Sequence, residues 1–189
     1  MQPLIFLEKC MTSSFFEKYP VSCVYNNRKI ILIWQTSDQV SDTFRLSEMN
    51  RLLFANSEEE LIQLLEPAEI KETQWKESTE INISKFLAQL SRLKTKHSSS
   101  KITCKQLVDG WNFIEDILRT FHLDKESKKL KSPILNKVYK KLFYGCNLPS
   151  VTPEGESYSP IWTNEEIFLV RKEFRDIWSF LKKEKYVPF

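Results

Sequence analysis

Glycine is nearly missing from this chain. Three occur among 189 residues, too few to build the glycine-rich loops that bring backbone amides against nucleotide phosphates. Histidine is scarcer still: His97 and His122 are the two, and neither has a local nucleophile or carboxylate that suggests a catalytic dyad. Cysteine is sparse and dispersed. Cys10, Cys23, Cys104 and Cys146 form no C-x-x-C pair, a pattern that suits reduced, buried thiols better than a disulfide framework or a zinc site. No run approaches the ~20 consecutive apolar residues of a membrane helix. The opening MQPLIFLEKC has no basic segment and carries Glu8 and Lys9, unlike a signal or transit peptide. These absences lead us to expect a cytoplasmic protein with no metal, no cofactor, no small-molecule ligand and no membrane partner.

Material for a core is abundant. Hydrophobic residues make up 41% of the chain, with 13 Phe, 6 Tyr and 5 Trp, which excludes a disordered polypeptide. The net charge of +3 is unevenly spread. Residues 1–80 hold 8 Lys/Arg against 13 Asp/Glu, net −5, whereas residues 81–189 hold 20 against 12, net +8. One half therefore suits a basic partner and the other an acidic one.

The hydrophobic period changes where the charge does. In VSCVYNNRKIILIW, two β-rich runs, Val21–Tyr25 and Lys29–Trp34, flank Asn26-Asn27, a pair that tolerates positive φ and predicts a tight hairpin. Short apolar pieces at Thr43–Leu46 and Arg51–Ala55 have the length of further strands. Ser57 and Glu60 then form a capping box at the head of one helix, with Leu61, Ile62 and Leu65 as its apolar face and Pro67 as its end.

Beyond residue 80 the spacing is helical. Ile83, Phe86, Leu87, Leu90 and Leu93 predict a helix over 83–95 from an Asn82 cap, followed by a linker from Lys94 to Lys101. Leu107, Trp111, Ile114, Leu118 and Phe121 mark a second helix. A lysine-rich turn, DKESKKLKS, leads to a third that carries Leu135, Val138, Tyr139, Leu142 and Phe143 and places Gly145 as its C-cap. Pro149, Pro153 and Pro160 make the next stretch a loop, pinned by Leu148, Val151, Tyr158, Ile161 and Trp162. Thr163 and Glu166 cap a last helix with Ile167, Val170, Phe174, Ile177 and Leu181 inward. The expected fold is α+β in a single domain over 1–189: a small, mainly antiparallel sheet with one helix in the acidic half, packed on a helical bundle in the basic half.

Chemistry is harder to find. Glu58-Glu59-Glu60 and Glu165-Glu166 sit in first helical turns, where capping and the helix dipole account for them. Asn112 and Asp116, four apart beside an apolar stripe, are expected to serve the backbone of the proline loop. An enzyme built on Glu115 or Asp116 in a cleft beside Tyr144 is the weakest of the readings. The lysines of 94–105 and 125–141 raise the alternative of a nucleic-acid-binding or regulatory accessory protein, although few aromatics are interleaved with them for base stacking.

LVDGWNFIEDIL, from Leu107, and KVYKKLFYGCNLPSVTPEGESYSPIWTNEEI, together with the earlier RLLFANSEEELIQLL, resemble the small immunity proteins that protect bacteria from polymorphic toxins, in particular those of contact-dependent growth inhibition. The resemblance implies a non-enzymatic antitoxin whose partner is the carboxy-terminal domain of a cognate toxin, often a nuclease with a basic groove. An acidic face would complement such a groove. The candidate partner-binding residues are then Glu58, Glu59, Glu60, Glu66, Glu69 and Glu72, with Trp75 as the aromatic anchor because no core periodicity claims it. Trp34, Tyr144, Tyr158 and Trp162 are the other aromatic candidates. The basic carboxy-terminal half departs from an acid-presenting inhibitor and fits instead a toxin with an acidic epitope.

Overall fold

The computed structural model describes residues 17–75 and 79–189 and shows a mixed α+β protein. Strands β1 (Glu17–Tyr25) and β2 (Arg28–Thr36) form the expected hairpin, with Asn26 and Asn27 at φ 48° and 63° in its turn. Asparagine takes this left-handed conformation more readily than other non-glycine residues. Both strands run two or more residues past the predicted apolar runs. Short strands β3 (Thr43–Phe44) and β4 (Phe54–Ala55) pair with β2 at different points along its length.

The run Ile30-Ile31-Leu32-Ile33 is continuous because both faces of the sheet are covered. Val21, Cys23, Ile30 and Leu32 join the main core, while Ile33 packs with Ala55, Leu61 and Leu65 in a smaller cluster on the other side. That smaller cluster lies beneath α1 (Glu58–Leu64). The acidic half has two helices, not one: Pro67 ends α1 but opens α2 (Pro67–Glu72), since proline at the first helical position gives up an amide that has no helical partner anyway. A further strand, β5 (Thr79–Asn82), pairs parallel with β1 and completes the order β3-β2-β1-β5. Its sequence TEIN carries one apolar residue, so no run announced it.

Helix α3 (Ile83–Arg92) follows directly, capped by the Asn82 side chain on the Lys85 amide at 2.9 Å. Next is α4 (Lys101–Thr120), whose 20 residues span about 30 Å. DKESKKLKS is itself mostly helical, as α5 (Asp124–Leu130), which buries Leu130. Helix α6 (Pro133–Gly145) ends without the expected glycine cap. Gly145 remains helical, and the left-handed residue is Asn147 at φ 47°. Glycine stands at 145 for room, because a Cβ there would lie 2.5 Å from Cys104 Sγ. Helix α7 (Asn164–Lys183) carries the predicted capping box of Thr163 and Glu166.

One cluster of buried side chains runs from Val21 to Val187, so sheet and bundle share a core. Its centre is α4. Trp111 meets Phe174 of α7 at a ring separation of 4.6 Å and Tyr139 of α6 at 5.3 Å, and Phe113 meets Phe44 of β3 at 5.2 Å. Helix α3 comes so close to α4 that a Cβ on Gly110 would sit 2.4 Å from the Phe86 ring. At an open helical site, Gly→Ala would stabilise by about 1 kcal/mol. Here overpacking, which costs about 1–3 kcal/mol, should win. Gly110→Ala is expected to lower the unfolding free energy by about 1–2 kcal/mol in urea titration, and Phe86→Leu in the same chain to recover part of the loss.

Candidate functional site

The acidic residues divide once they are placed. Glu58, Glu59 and Glu60 lie exposed in the first turn of α1. The Ser57 hydroxyl accepts from the Glu60 amide at 3.2 Å, but Glu60 Oε2 returns to Asn56, accepting from its backbone amide at 2.8 Å and its side-chain amide at 3.0 Å, so the box is displaced by one residue. The Asn56 amides hold the Glu60 carboxyl below its ordinary pKa, and the Glu59 backbone amide with Ser57 does the same for Glu59. Glu66 is the exposed N-cap position of α2.

Glu69 and Glu72 both form ion pairs within the protein, Glu69 largely covered and Glu72 still half open to solvent. Glu69 accepts from Arg45 Nε at 2.9 Å and lies 3.6 Å from Lys18 Nζ, which also donates to Glu72 at 2.8 Å. Burial pushes the Glu69 carboxyl up, but Arg45 and Lys18 outweigh it and hold the group below its usual value. These ion pairs fasten α2 to β1 and to the chain after β3. Trp75 is half-buried against the Ile33 cluster, and its indole N–H donates to the Ile70 carbonyl at 2.8 Å. As a binding anchor it would first have to leave that seat.

Among the described cysteines, Cys23, Cys104 and Cys146 are buried free thiols, with burial pushing Cys104 up to about 12; Cys10 lies outside the described residues. His97 is exposed, with Nδ1 3.0 Å from the Thr95 carbonyl, and His122 forms the left-handed turn after α4 at φ 53°. Among the described residues no three His, Cys, Asp or Glu side chains are placed to hold a metal ion, and no helix is long and apolar enough to cross a membrane.

Asp116 is a structural tie and does not serve the proline loop. It is buried on α4, where Oδ2 accepts from the Trp34 indole N–H at 3.1 Å and Oδ1 from Arg119. Arg119 also donates to the Asp42 carbonyl at 3.2 Å, and Thr120 bonds the Phe44 amide at 2.8 Å, so the end of α4 is laced to β2 and β3. Asn112 accepts from the Tyr139 hydroxyl at 3.0 Å. Asp116 and Asn112 share a cleft of about 170 Å³ with Phe113, Ile81 and Thr79, and Tyr144 does not line it.

The loop after α6 is braced by other groups. Asn147 clamps it: Nδ2 donates to the Gly145 and Tyr158 carbonyls at 3.0 Å each, and Oδ1 accepts from the Tyr158 amide at 2.6 Å. Trp162 is buried, with its N–H on Ser99 Oγ at 2.9 Å, and Ser98 and Thr95 bridge to Ile161 and Trp162. Lys141 donates at 2.8 Å to the Ile161 carbonyl and to both oxygens of the buried Glu166. Burial pushes the Glu166 carboxyl up, but Lys141, the Thr163 amide and Lys137 prevail and hold it below its usual value.

On this braced frame stand exposed apolar groups. Tyr144 is 50% exposed, Tyr158 40% and Ile161 57%, Leu148 and Val151 in the intervening sequence are exposed too, and the two tyrosine rings are 6.4 Å apart. Of the five aromatic candidates, Trp34, Trp75 and Trp162 are each hydrogen-bonded into the protein, leaving Tyr144 and Tyr158 as the ones that face solvent. Their presence between prolines and lysines was visible in the sequence, but not that Asn147 would fix the main chain at Tyr158. This tyrosine and aliphatic face can bind another macromolecule by burial, and the exposed carboxylates of α1 can do so by charge.

Burial pushes the Asp116 carboxyl up to about 6, against the opposing pull of Arg119 and Trp34. The folded protein therefore keeps this proton at pH values where the unfolded chain has released it, and stability falls as pH rises from about 4 to about 6. Asp116→Asn should remove that slope. In urea titrations at pH 4, 5, 6 and 7, the native chain is expected to lose about 2–3 kcal/mol relative to the Asp116→Asn variant over that window. Compared with protein-family models, curated proteins and solved structures, the chain matches no family, no curated protein and no solved structure.

Proposed function

We propose that this chain is a non-enzymatic inhibitor of the immunity-protein kind, binding the carboxy-terminal domain of a cognate bacterial toxin, with nucleases as the first class to consider. The observation that carries the reading is the exposed set of Tyr144 in the last turn of α6 and Leu148, Val151, Tyr158 and Ile161 in the loop that follows, a loop held by Asn147, Lys141 and Trp162. Apolar side chains on a fixed frame bind at little cost in lost loop entropy. Tyrosines supply large contact area with few rotatable bonds. A tight complex needs about 800 Å² from each partner and a few anchors near its centre; Tyr144 and Tyr158 supply anchors, and the rest of the contact area comes from the surface around them. Aliphatic Leu148, Val151 and Ile161 favour a protein surface over stacked bases, and Glu154 and Glu156, exposed in the same loop, oppose a phosphate chain.

We place the primary binding face at the end of α6 and the loop after it, because Glu69 and Trp75 are tied into the protein while Glu72, paired with Lys18, stays half exposed. Glu58, Glu59, Glu60 and Glu66 form a separate exposed acidic patch. The test is co-expression with the toxin domain encoded beside this chain. A one-to-one complex that persists in 1 M salt, together with protection of cells from that domain, is the expected outcome. Tyr144→Ala and Tyr158→Ala should each weaken the complex by about 2 kcal/mol or more, roughly 30-fold, whereas Glu58→Lys should change it less than 10-fold. Absence of both complex and protection, or recovery of RNA at low salt with no protein partner, would overturn the proposal.

A further inference from the structure

Beside the tyrosine face, a pocket of about 510 Å³ opens between the end of α3 and the start of α4. Arg92, Lys94 and His97 line it with Ser98, Ser100 and Thr103, and no carboxylate is among its lining residues. None of the three basic side chains takes part in an ion pair among the described residues. The end of a helix normally turns partial negative charge outward through its last carbonyls. Here Arg171 from α7 covers them, donating to the Leu90, Ser91 and Leu93 carbonyls at 2.8, 2.7 and 2.5 Å. Arg171 thus brings a further guanidinium to the carbonyl of Leu93, one of the pocket's lining residues, and offsets the negative end of α3.

The pocket wall and the apolar face are parts of one surface. Ser98 bridges to Ile161, and the Ser99 amide donates to the Pro160 carbonyl at 3.1 Å, so the serine segment that lines the pocket is joined to the loop that carries Tyr158 and Ile161. We infer that this pocket receives acidic side chains, Asp or Glu, of the same protein partner that covers the tyrosine face. The inference rests on the proposed inhibitor reading for the partner, and on cavity, charge and continuity for the site. Opposite charges at the edge of an apolar contact act mainly on the association rate and on the choice of partner.

Two arms test the pocket and the reading separately. Hexaglutamate peptide, titrated into the isotopically labelled chain at 50 mM salt, is expected to shift the amide resonances of residues 92–103, and Arg92→Glu with Lys94→Glu is expected to abolish those shifts. Thermal unfolding of the double variant should match that of the native chain, since both side chains are exposed. Inorganic phosphate that shifts the same resonances when hexaglutamate does not would make the pocket a phosphate site and overturn the inference, as would silence with both probes. In the second arm, the same double variant is mixed with the toxin domain. A tenfold or greater fall in association rate, lessened at high salt, is the expected result. An unchanged rate in a complex that Tyr158→Ala still weakens would overturn the pocket and leave the inhibitor reading standing. Failure of the native chain to bind the domain would remove the reading, while the peptide arm would still decide whether the pocket takes acidic side chains.

Discussion

Everything in this molecule is arranged around a helix that has almost no free side. Along α4, most positions from Leu107 to Thr120 are buried by the sheet, α3, α6 and α7, with Asp109, Asn112, Glu115 and Arg119 the ones that reach outward. A helix covered all round must settle its polar groups internally. Asp116 does so through Trp34 and Arg119, and Thr120 through the Phe44 amide. The same constraint sets side-chain size: Gly110 admits Phe86, and Gly145 admits Cys104 and the Pro160 ring. Because α4 touches both halves, the acidic and basic segments of the sequence are charge domains of a single core.

That core determines which surface is available for binding. Lys18 and Arg45 draw Glu69 inward, and Lys18 also pairs with the exposed Glu72, so part of the acidic charge is used to hold α2 on the sheet. At the opposite end, Lys141 and Glu166 form a largely buried pair whose remaining bonds close the capping box of α7 and hold the chain at Ile161. Removing one partner of such a pair leaves the other charge stranded, so it makes a firm brace. Placement, more than charge count, separates the two faces.

Several elements could be read directly from local chemistry. Asn26-Asn27 needs no distant contact to turn, and Ser57, Asn82 and Thr163 cap the helices that follow them because capping involves only neighbouring residues. What escaped notice was non-local. TEIN becomes a strand only because β1 offers an open edge for parallel pairing. DKESKKLKS becomes helical with no side-chain cap because Leu130 finds the core. The engagement of Glu69 depends on a lysine fifty-one positions earlier, and the main-chain position of Tyr158 is tied to Asn147. No spacing rule reaches across such separations.

The Asn147 clamp has a consequence for how this protein can change over generations. The bonds that shape the loop come from Asn147, Lys141, Trp162 and main-chain groups, whereas the outward side chains of Leu148, Val151 and Tyr158 contribute none of them. Scaffold and contact surface are thus under separate constraints. Residues at the exposed positions can be exchanged at little cost in stability, since substitutions on open surface usually fall within about ±0.5 kcal/mol. A lineage that carries this loop can therefore revise its exposed side chains one at a time while continuing to fold, and the greatest drift in sequence is expected where the structure depends on it least.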